Sequence, residues 1–565
     1  MISAWLSRRS SQAAAGVAGA TWLGSVALLL WWLRNTPTDA LREQLKVWQV
    51  WSLDGCALLA VVFAIYSAAA LTNYLTRSDV VRIAVVAGVA TGLTLLAAPR
   101  TNRIFYDEQI YQSIGHNIAD LRLAQRCNDG DVEGGRLRCR SGEYNKQPYA
   151  YPHVLSLAYA VFGVTEETAF AVNAAAMAAT VTAVYLLAIV LFANRDAAFF
   201  SSVLLAFTPQ QVAWSATAAV EPTASLGVVV AVLAAAHYLR SGHRSALGLA
   251  VALAAYAIQF RPESLLALAV ILTVIWPRLR SDLERPRGWW AAILFLWLVA
   301  AHAAHLVAVR SIDWGTAGPR FSFDFVGTNA AVNIPFYLYD ERFPGTMMLL
   351  ALVGLSSTPE RLGRVAMALW FFVFFTIVLF FYAGSYDFGA DVRYSVMTYP
   401  PLAVLGGLGL SRLVRLVHGP AAGAPLRYAI AAILGFQFLW YAPSVRSTEE
   451  AWAARADVRF ARSYASELPR DAYVLTHNPD MFHLWGVNAG QMSRVVDDPA
   501  YAAVLARMYP GGLYLHWNFW CNVDDELQRE FCQKARSMGR VDLVTQYSER
   551  GQVYGFYRLH LTNEP

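Results

Sequence analysis

Long apolar segments, separated by short polar connections, run through most of the chain. About 20 consecutive apolar residues cross a bilayer as an α-helix. Roughly thirteen apolar segments of this chain approach that length. The pattern predicts a mainly α-helical, polytopic membrane protein of about 13 transmembrane helices. The predicted spans are 13–33, 55–75, 80–98, 170–192, 197–213, 223–239, 246–259, 265–276, 289–309, 346–355, 365–382, 395–414 and 428–441.

The pattern changes near residue 447, where short apolar runs begin to alternate with amphipathic stretches. The apolar runs at 472–475, 512–515, 541–544 and 553–559 are typical of strands, and 499–508 and 524–538 of helices. These elements predict a small α/β domain over 447–565, following a membrane domain over 1–446.

Lysine and arginine in short loops set the orientation of membrane helices, because such loops stay on the cytoplasmic side. Most predicted connections on one side carry arginine, including Arg240, Arg244, Arg285 and Arg287. This asymmetry predicts a cytoplasmic N-terminus, with the long loop 99–168 and the C-terminal tail outside. We expect a multi-pass protein of the bacterial inner (plasma) membrane, with a periplasmic or extracellular C-terminus.

Composition agrees with a membrane protein, since 56% of residues are hydrophobic and 15% are charged, against about 25% charged in soluble domains. The net charge of +5 is small for 565 residues. No block of like charge indicates a nucleic-acid partner.

Four of the five cysteines form two local pairs, Cys127 with Cys139 and Cys521 with Cys532. Both pairs lie in predicted outer segments, where an oxidising compartment favours disulfides. The alternative is four free thiols. Cys56 is left over inside a span.

The long outer loop opens with adjacent carboxylates, Asp107 and Glu108, just beyond a predicted span. A carboxylate near the bilayer is costly and tends to be functional, and one of the two could act as a general base. The alternative is a solvated acidic pair at a helix start, where carboxylates interact favourably with the helix dipole.

This loop resembles the first extracytoplasmic loop of family 39 glycosyltransferases of the GT-C superfamily, which include protein O-mannosyltransferases and lipid A aminoarabinose transferases. Those proteins carry an Asp-Glu pair with a nearby Tyr, then a Lys-Pro-Pro or His-Pro-Pro element and a helix ending in Phe-Gly. The matching residues here are Asp107, Glu108, Tyr111, Lys146, Pro148, Phe162 and Gly163. Gln147 replaces one proline, and three spans precede the acidic pair where the family usually has one.

Two further segments resemble the same family. Glu221 begins a predicted membrane helix, like the acidic residue of the family's second outer loop. Arg393 and Tyr394, followed by a glycine-rich span, resemble a late Arg-Tyr motif that faces the lipid phosphate in relatives.

The resemblance implies a GT-C fold and an inverting hexosyl- or pentosyltransferase that uses a polyprenyl-phosphate sugar. Asp107 would be the general base, with Lys146 and Arg393 binding the phosphate and Tyr111 and Tyr394 lying in the same substrate region. Glu108 and Glu221 would orient the acceptor, hold Asp107 or bind a divalent metal, Mg²⁺ or Mn²⁺; carboxylate oxygens suit both ions. Lys146 as a solvated loop lysine and Arg393 as an arginine reaching the membrane interface are the structural alternatives.

The expected partners are the lipid-linked donor, membrane lipid and an acceptor in the cell envelope, which could be a protein, lipid A, another glycolipid or a glycan. A transporter or flippase of lipid-linked precursors is the main alternative. It is less favoured because charges concentrate in outer loops and no inverted repeat is visible. A membrane-anchored assembly protein is a third hypothesis, but an anchor would not need so many spans.

Overall fold

The structure is a computed structural model that describes residues 2–312, 318–357, 360–418 and 423–561, without the side chains of 2–11, 418 and 424. Contacts divide the chain into two compact units. The first comprises Met1–Arg100, Lys146–Tyr151 and Ala171–Ser447, and the second Thr101–Asn145, Pro152–Phe170 and Thr448–Pro565.

The described helices are, in chain order, α1 (Ile2–Asn35), α2 (Thr38–Thr72), α3 (Arg77–Leu96), α4 (Asp107–Leu121), α5 (Ala150–Phe162), α6 (Glu166–Phe192), α7 (Arg195–Ala206), α8 (Pro209–Ser215), α9 (Glu221–Ser241), α10 (Arg244–Ala257), α11 (Ala267–Leu283), α12 (Pro286–Ala308), α13 (Asp324–Tyr339), α14 (Gly345–Leu355), α15 (Arg361–Phe380), α16 (Tyr399–His418), α17 (Ala424–Trp440), α18 (Ala442–Arg446), α19 (Trp452–Ala465), α20 (Pro479–Leu484), α21 (Met492–Asp497), α22 (Pro499–Met508) and α23 (Glu526–Ser537). The strands are β1 (Arg126–Glu133), β2 (Arg136–Glu143), β3 (Ala472–Thr476), β4 (Asn488–Gln491), β5 (Gly512–Trp517), β6 (Gly539–Glu549) and β7 (Gln552–Leu561). Three 3₁₀ segments lie at Pro262–Leu266, Asp391–Thr398 and Phe519–Cys521.

The membrane helices confirm the predicted mainly α-helical, polytopic class. Nine helices in the described ranges are long and apolar enough to cross a bilayer, and four shorter apolar helices accompany them. Helix α9 is 83% buried over its most apolar window, whereas α2 is 11% buried. Helix α9 therefore lies at the centre of the first unit, while α2 keeps most of its apolar surface on the outside.

One predicted span, 197–213, is wrong as a continuous helix. The structure divides it into α7 and α8, and Pro209 is the first residue of α8. Proline lacks the backbone N–H that would continue the helix, and it disfavours helical geometry in the residue before it. Thr208 accordingly has φ −78° and ψ 115°.

The glycines of α16 explain how three helices pack together in the first unit. A Cβ atom on Gly407 would collide with Ser201 of α7, and one on Gly409 would collide with the carbonyl of Leu350 in α14. Small residues allow membrane helices to approach closely. The glycine-rich span therefore has a packing role.

The second unit contains a seven-stranded sheet in the order β2-β1-β4-β3-β5-β7-β6. Strand β3 pairs in parallel with β4 and β5, and the remaining pairs are antiparallel. The β1–β2 hairpin comes from the long loop, and the other strands come from the tail. Two segments more than 300 residues apart thus form one sheet, an arrangement that local sequence patterns do not reveal.

Alternating residues of the central strands form two cores, one on each face of this sheet. Tyr473, Leu475 and Leu513 pack with α21, α22 and α23 on one face. Val474 and Tyr514 pack with α19 and α20 on the other. The strand period of two explains the division, since neighbouring side chains point to opposite faces.

Buried Asp129 joins the β1–β2 hairpin to the tail segment. Its carboxylate accepts hydrogen bonds from Arg140 Nη2 and Tyr473 Oη, each at 2.5 Å, and from the Tyr501 hydroxyl. Burial opposes ionisation of Asp129, but these hydrogen bonds outweigh it and lower the pKa of the carboxyl group.

Both predicted disulfides are present, Cys127–Cys139 within the hairpin and Cys521–Cys532 between a 3₁₀ turn and α23. The 3₁₀ segment at Phe519–Cys521 folds the chain back towards α23. The Cα atoms of Cys521 and Cys532 therefore lie 5.8 Å apart. Cys56 is a buried free thiol.

We expect peptide mapping of denatured, unreduced protein to show alkylation at Cys56 only. The four paired cysteines should become alkylated only after reduction, so Cys56 serves as the internal control. Each disulfide is expected to add about 2–4 kcal/mol to the free energy of unfolding, mainly by restricting the unfolded chain. Alkylation of all five cysteines without reduction would refute the pairing.

Candidate active site

Glu221 is the centre of a buried charged cluster in the first unit. It is the first residue of α9, and its side chain is fully buried. Its Oε1 lies 3.0 Å from Arg393 Nε and also accepts a hydrogen bond from Arg261. Burying a carboxylate is tolerable here because two guanidinium groups supply the opposite charge.

The rest of the cluster surrounds the two arginines. Arg393 Nη1 lies 3.0 Å from Asp391 Oδ1, and Arg261 pairs with Glu263. The Tyr394 ring centroid lies 4.8 Å from the Arg393 guanidinium carbon and 5.0 Å from that of Arg261. Ion pairs and cation–π contacts together hold both guanidiniums in defined positions.

Arg261, Glu263 and Asp391 are the residues of this cluster that the sequence did not predict as site residues. The Arg-Pro-Glu segment interrupts a helical pair near the membrane, and the sequence assigns it no catalytic role. In the structure Arg261 directly precedes a 3₁₀ turn at Pro262–Leu266, and its side chain points at Glu221. A helix break that carries opposite charges within a membrane domain was the available signal.

Lys146 begins a short segment of the first unit that is held by its backbone. The ring of His305 in α12 hydrogen-bonds to the Lys146 backbone, and Tyr149 packs edge-on against the same ring with centroids 5.6 Å apart. The Ala150 N–H donates to the Gln259 carbonyl oxygen at 3.0 Å. Residues 146–151 therefore have a fixed path against α12 and the end of α10.

The adjacent carboxylates of the second unit have different environments. Glu108 is fully buried, and its Oε2 accepts the backbone N–H groups of Arg103 at 2.6 Å and Ile104 at 2.7 Å. Asp107 is the first residue of α4 and is half-buried. Within the described part of the chain, no hydrogen bond or ion pair engages its carboxylate. Glu108 therefore stabilises the path of residues 103–108.

Tyr106, the residue before Asp107, is anchored by the tail segment of the same unit. Its hydroxyl donates to Asp457 Oδ2 at 2.5 Å, and His516 Nε2 lies 2.9 Å from Asp457 Oδ1. Thr476 Oγ1 lies 3.1 Å from His516 Nδ1, which completes a buried chain. Burial and the Asp457 charge raise the pKa of the Tyr106 phenol well above its ordinary value, so the hydroxyl remains a donor.

Tyr111 lies one turn further along α4, with 4% of its surface exposed. It therefore belongs to the buried face of the helix that Asp107 begins. Of the predicted residues, the second unit holds Asp107, Glu108 and Tyr111, and the first holds Lys146, Glu221, Arg393 and Tyr394. The structure brings Glu221, Arg393 and Tyr394 into direct mutual proximity.

The residues expected to bind a divalent metal do not fit that role. Glu221 faces two guanidiniums, which repel a cation, and Glu108 accepts backbone N–H groups. The group with metal-like spacing found among the described residues is His477 with Cys521 and Cys532. Both of those sulfurs are already joined in a disulfide.

Comparison with known proteins identifies the class of this fold. Residues 146–305 match the family described as dolichyl-phosphate-mannose-protein mannosyltransferase. No curated protein sequence matches the chain. Among solved structures, ArnT from Cupriavidus metallidurans bound to undecaprenyl phosphate has a TM-score of 0.50 and 14% identity, covering 86% of this chain and 98% of that one.

Two other solved structures are more distant. The Archaeoglobus fulgidus oligosaccharyltransferase tethered to an acceptor peptide has a TM-score of 0.42 and 12% identity, covering 87% of this chain and 75% of that one. Arabinosyltransferase EmbB from Mycobacterium smegmatis has a TM-score of 0.37 and 15% identity, covering 69% of this chain and 40% of that one.

The fold defines a multi-pass membrane protein of the GT-C type. Together with the family match, it confirms the resemblance to family 39-like glycosyltransferases of the GT-C superfamily. These findings support a glycosyltransferase.

Proposed function

We propose that this protein transfers a sugar from a polyprenyl-phosphate donor to an acceptor in the cell envelope, with inversion at the anomeric carbon. The observation that carries the proposal is the GT-C fold, which this chain shares with an ArnT structure that holds undecaprenyl phosphate. Residues 146–305 also match a family described as dolichyl-phosphate-mannose-protein mannosyltransferase. A lipid phosphate as the leaving group agrees with that description.

Asp107 is the general base of the proposed reaction. It removes the proton from the attacking acceptor group while the C1–O bond to the lipid phosphate breaks. Its carboxylate suits this role because, unlike Glu108, it accepts no backbone hydrogen bonds within the described residues. The anchored Tyr106 limits the movement of the base, and such positioning lowers the activation barrier.

Arg393 and Lys146 are the proposed phosphate ligands. The departing lipid phosphate gains negative charge, and a cation already in place stabilises it in the transition state. Arg393 is held by Glu221, Asp391 and the Tyr394 ring, so its guanidinium is preorganised. Glu221 therefore acts on the donor through Arg393, and Tyr111 and Tyr394 are proposed to border the substrate.

The direct test is turnover of the purified protein with a panel of polyprenyl-phosphate sugars. We expect release of polyprenyl phosphate and transfer of the sugar, together with one sugar mass that disappears from envelope glycans when the protein is absent. Movement of an intact lipid-linked sugar across reconstituted vesicles without release of the phosphate would favour the transporter alternative instead.

We also propose that the protein lies in the bacterial inner membrane, with Asp107 and the charged cluster around Arg393 on the periplasmic side. A reporter that is active only outside the cytoplasm, fused after Pro565, is expected to be active. The same reporter fused after Arg280, in a predicted inner loop, is the matched control and should be silent. Activity at Arg280 and silence at Pro565 would reverse the orientation.

A further inference from the structure

A groove in the first unit, lined by none of the proposed site residues, combines arginines with an apolar wall. It lies among α2, α10 and α12 and has a volume of about 610 Å³. This is within the range of about 300–1,000 Å³ typical of small-molecule sites. Phe63, Leu247 and Leu294 form its apolar part, and Arg244, Arg285 and Arg287 supply its charge.

The three arginines are not equally available. Arg287 Nε lies 2.7 Å from Asp282 Oδ1, so its charge is already balanced. Arg244 and Arg285 are exposed, and neither guanidinium contacts a carboxylate in the described ranges. No acidic residue appears among those that line the groove. The groove therefore carries about two uncompensated positive charges, which attract an anion.

The apolar part of the groove identifies the kind of anion. Helices α2 and α12 are long and apolar enough to span a membrane, so this wall faces the bilayer rather than bulk water. Trp290, which also borders the groove, is 57% exposed, as is typical of tryptophan at a membrane interface. A soluble anion would leave the apolar wall uncovered, whereas a lipid places acyl carbon against it.

We propose that this groove binds the phosphodiester headgroup of an anionic phospholipid from the surrounding bilayer. Basic pockets between transmembrane helices recognise such headgroups, and the planar guanidinium matches the phosphate oxygens. Arg244 and Arg285 bind the phosphate, while Phe63, Leu247 and Leu294 contact the start of the acyl chains. This site is separate from the proposed transfer reaction and does not depend on it.

The test is native mass spectrometry of the full-length, delipidated protein titrated with phosphatidylglycerol, phosphatidylcholine or inorganic phosphate. The parent is expected to bind phosphatidylglycerol more tightly than phosphatidylcholine. Arg244→Gln/Arg285→Gln should weaken phosphatidylglycerol binding by about tenfold or more, since each lost charge-assisted contact has a substantial binding energy.

The matched control is Arg280→Gln/Arg361→Gln, which removes the same charge from two exposed arginines that do not line the groove. It should bind phosphatidylglycerol like the parent. Arg244→Lys/Arg285→Lys keeps both positive charges but lacks the planar guanidinium groups, so it should bind phosphatidylglycerol with intermediate affinity. Equal binding of both lipids, equal losses in the two glutamine variants, or inorganic phosphate displacing phosphatidylglycerol at equal concentration would each overturn the proposal.

Discussion

Replacing Asp107 by Asn is expected to reduce turnover by about 10²–10⁴-fold, the usual contribution of a positioned general base. This corresponds to about 3–5 kcal/mol of activation free energy. The substitution retains the size and hydrogen-bonding shape of the side chain but removes its basicity. Donor affinity should change little, because the proposed phosphate ligands are other residues. The measurement is turnover of the purified variant with a polyprenyl-phosphate sugar, together with the donor Kd.

Two comparisons separate catalysis from helix structure. Asp324 is likewise the first residue of its helix, α13, and Asp324→Asn should keep parental turnover. Glu108→Gln should lower the free energy of unfolding, because Glu108 holds the Arg103 and Ile104 N–H groups. If Asp107→Asn retains activity within a fewfold of the parent, Asp107 is only a helix-start residue and the proposed base is wrong.

Replacing Glu221 by Gln is expected to lower the free energy of unfolding by about 3–5 kcal/mol, as is typical when one partner of a buried ion pair is removed. Glu221 has no exposed side-chain surface and balances two guanidiniums, whose side chains are 12% and 11% exposed in Arg393 and Arg261. Without it, each guanidinium loses one of its two carboxylate partners among the described residues while staying almost fully buried. Thermal or denaturant unfolding of the purified protein in detergent measures the loss.

Glu263→Gln is the matched control for Glu221→Gln. The Glu263 side chain is 18% exposed, and Arg261 is its one ion-pair partner within the described residues, so water can compensate part of the lost interaction. Its cost should be clearly smaller. Equal losses in the two variants would show that Glu221 does not have the central role that its contacts indicate.

The acidic pair shows how far sequence reasoning reached in the candidate site. The sequence singled out both Asp107 and Glu108, because carboxylates just beyond a membrane span are unusual. The residues alone left open which of the two acts as the base, and only the family resemblance implied Asp107. The path of residues 103–108 distinguishes their environments, since it brings two backbone N–H groups to Glu108 and none to Asp107 within the described residues.

Arg261 and Asp457 illustrate what local patterns miss. Arg261 meets Glu221 across 40 residues, and Asp457 meets Tyr106 across 351 residues. Neither pairing leaves a periodic or motif-like trace in the sequence. Each depends on the packing of elements that are distant along the chain, so the sequence predicted the residue types of the site but only some of their partners.

The sequence by itself determined the elements whose cause is local. The length of the apolar segments specifies the membrane helices. Short apolar runs between amphipathic stretches specify the strands of the tail, and closely spaced cysteines indicated both disulfides. Only the tertiary structure decided that the hairpin of the long loop pairs with the tail, with Asp129 opposite Gly490, and that two arginines share Glu221. Strand pairing and burial of charge depend on contacts between distant segments, and the free energy of those contacts exists only once the chain has folded.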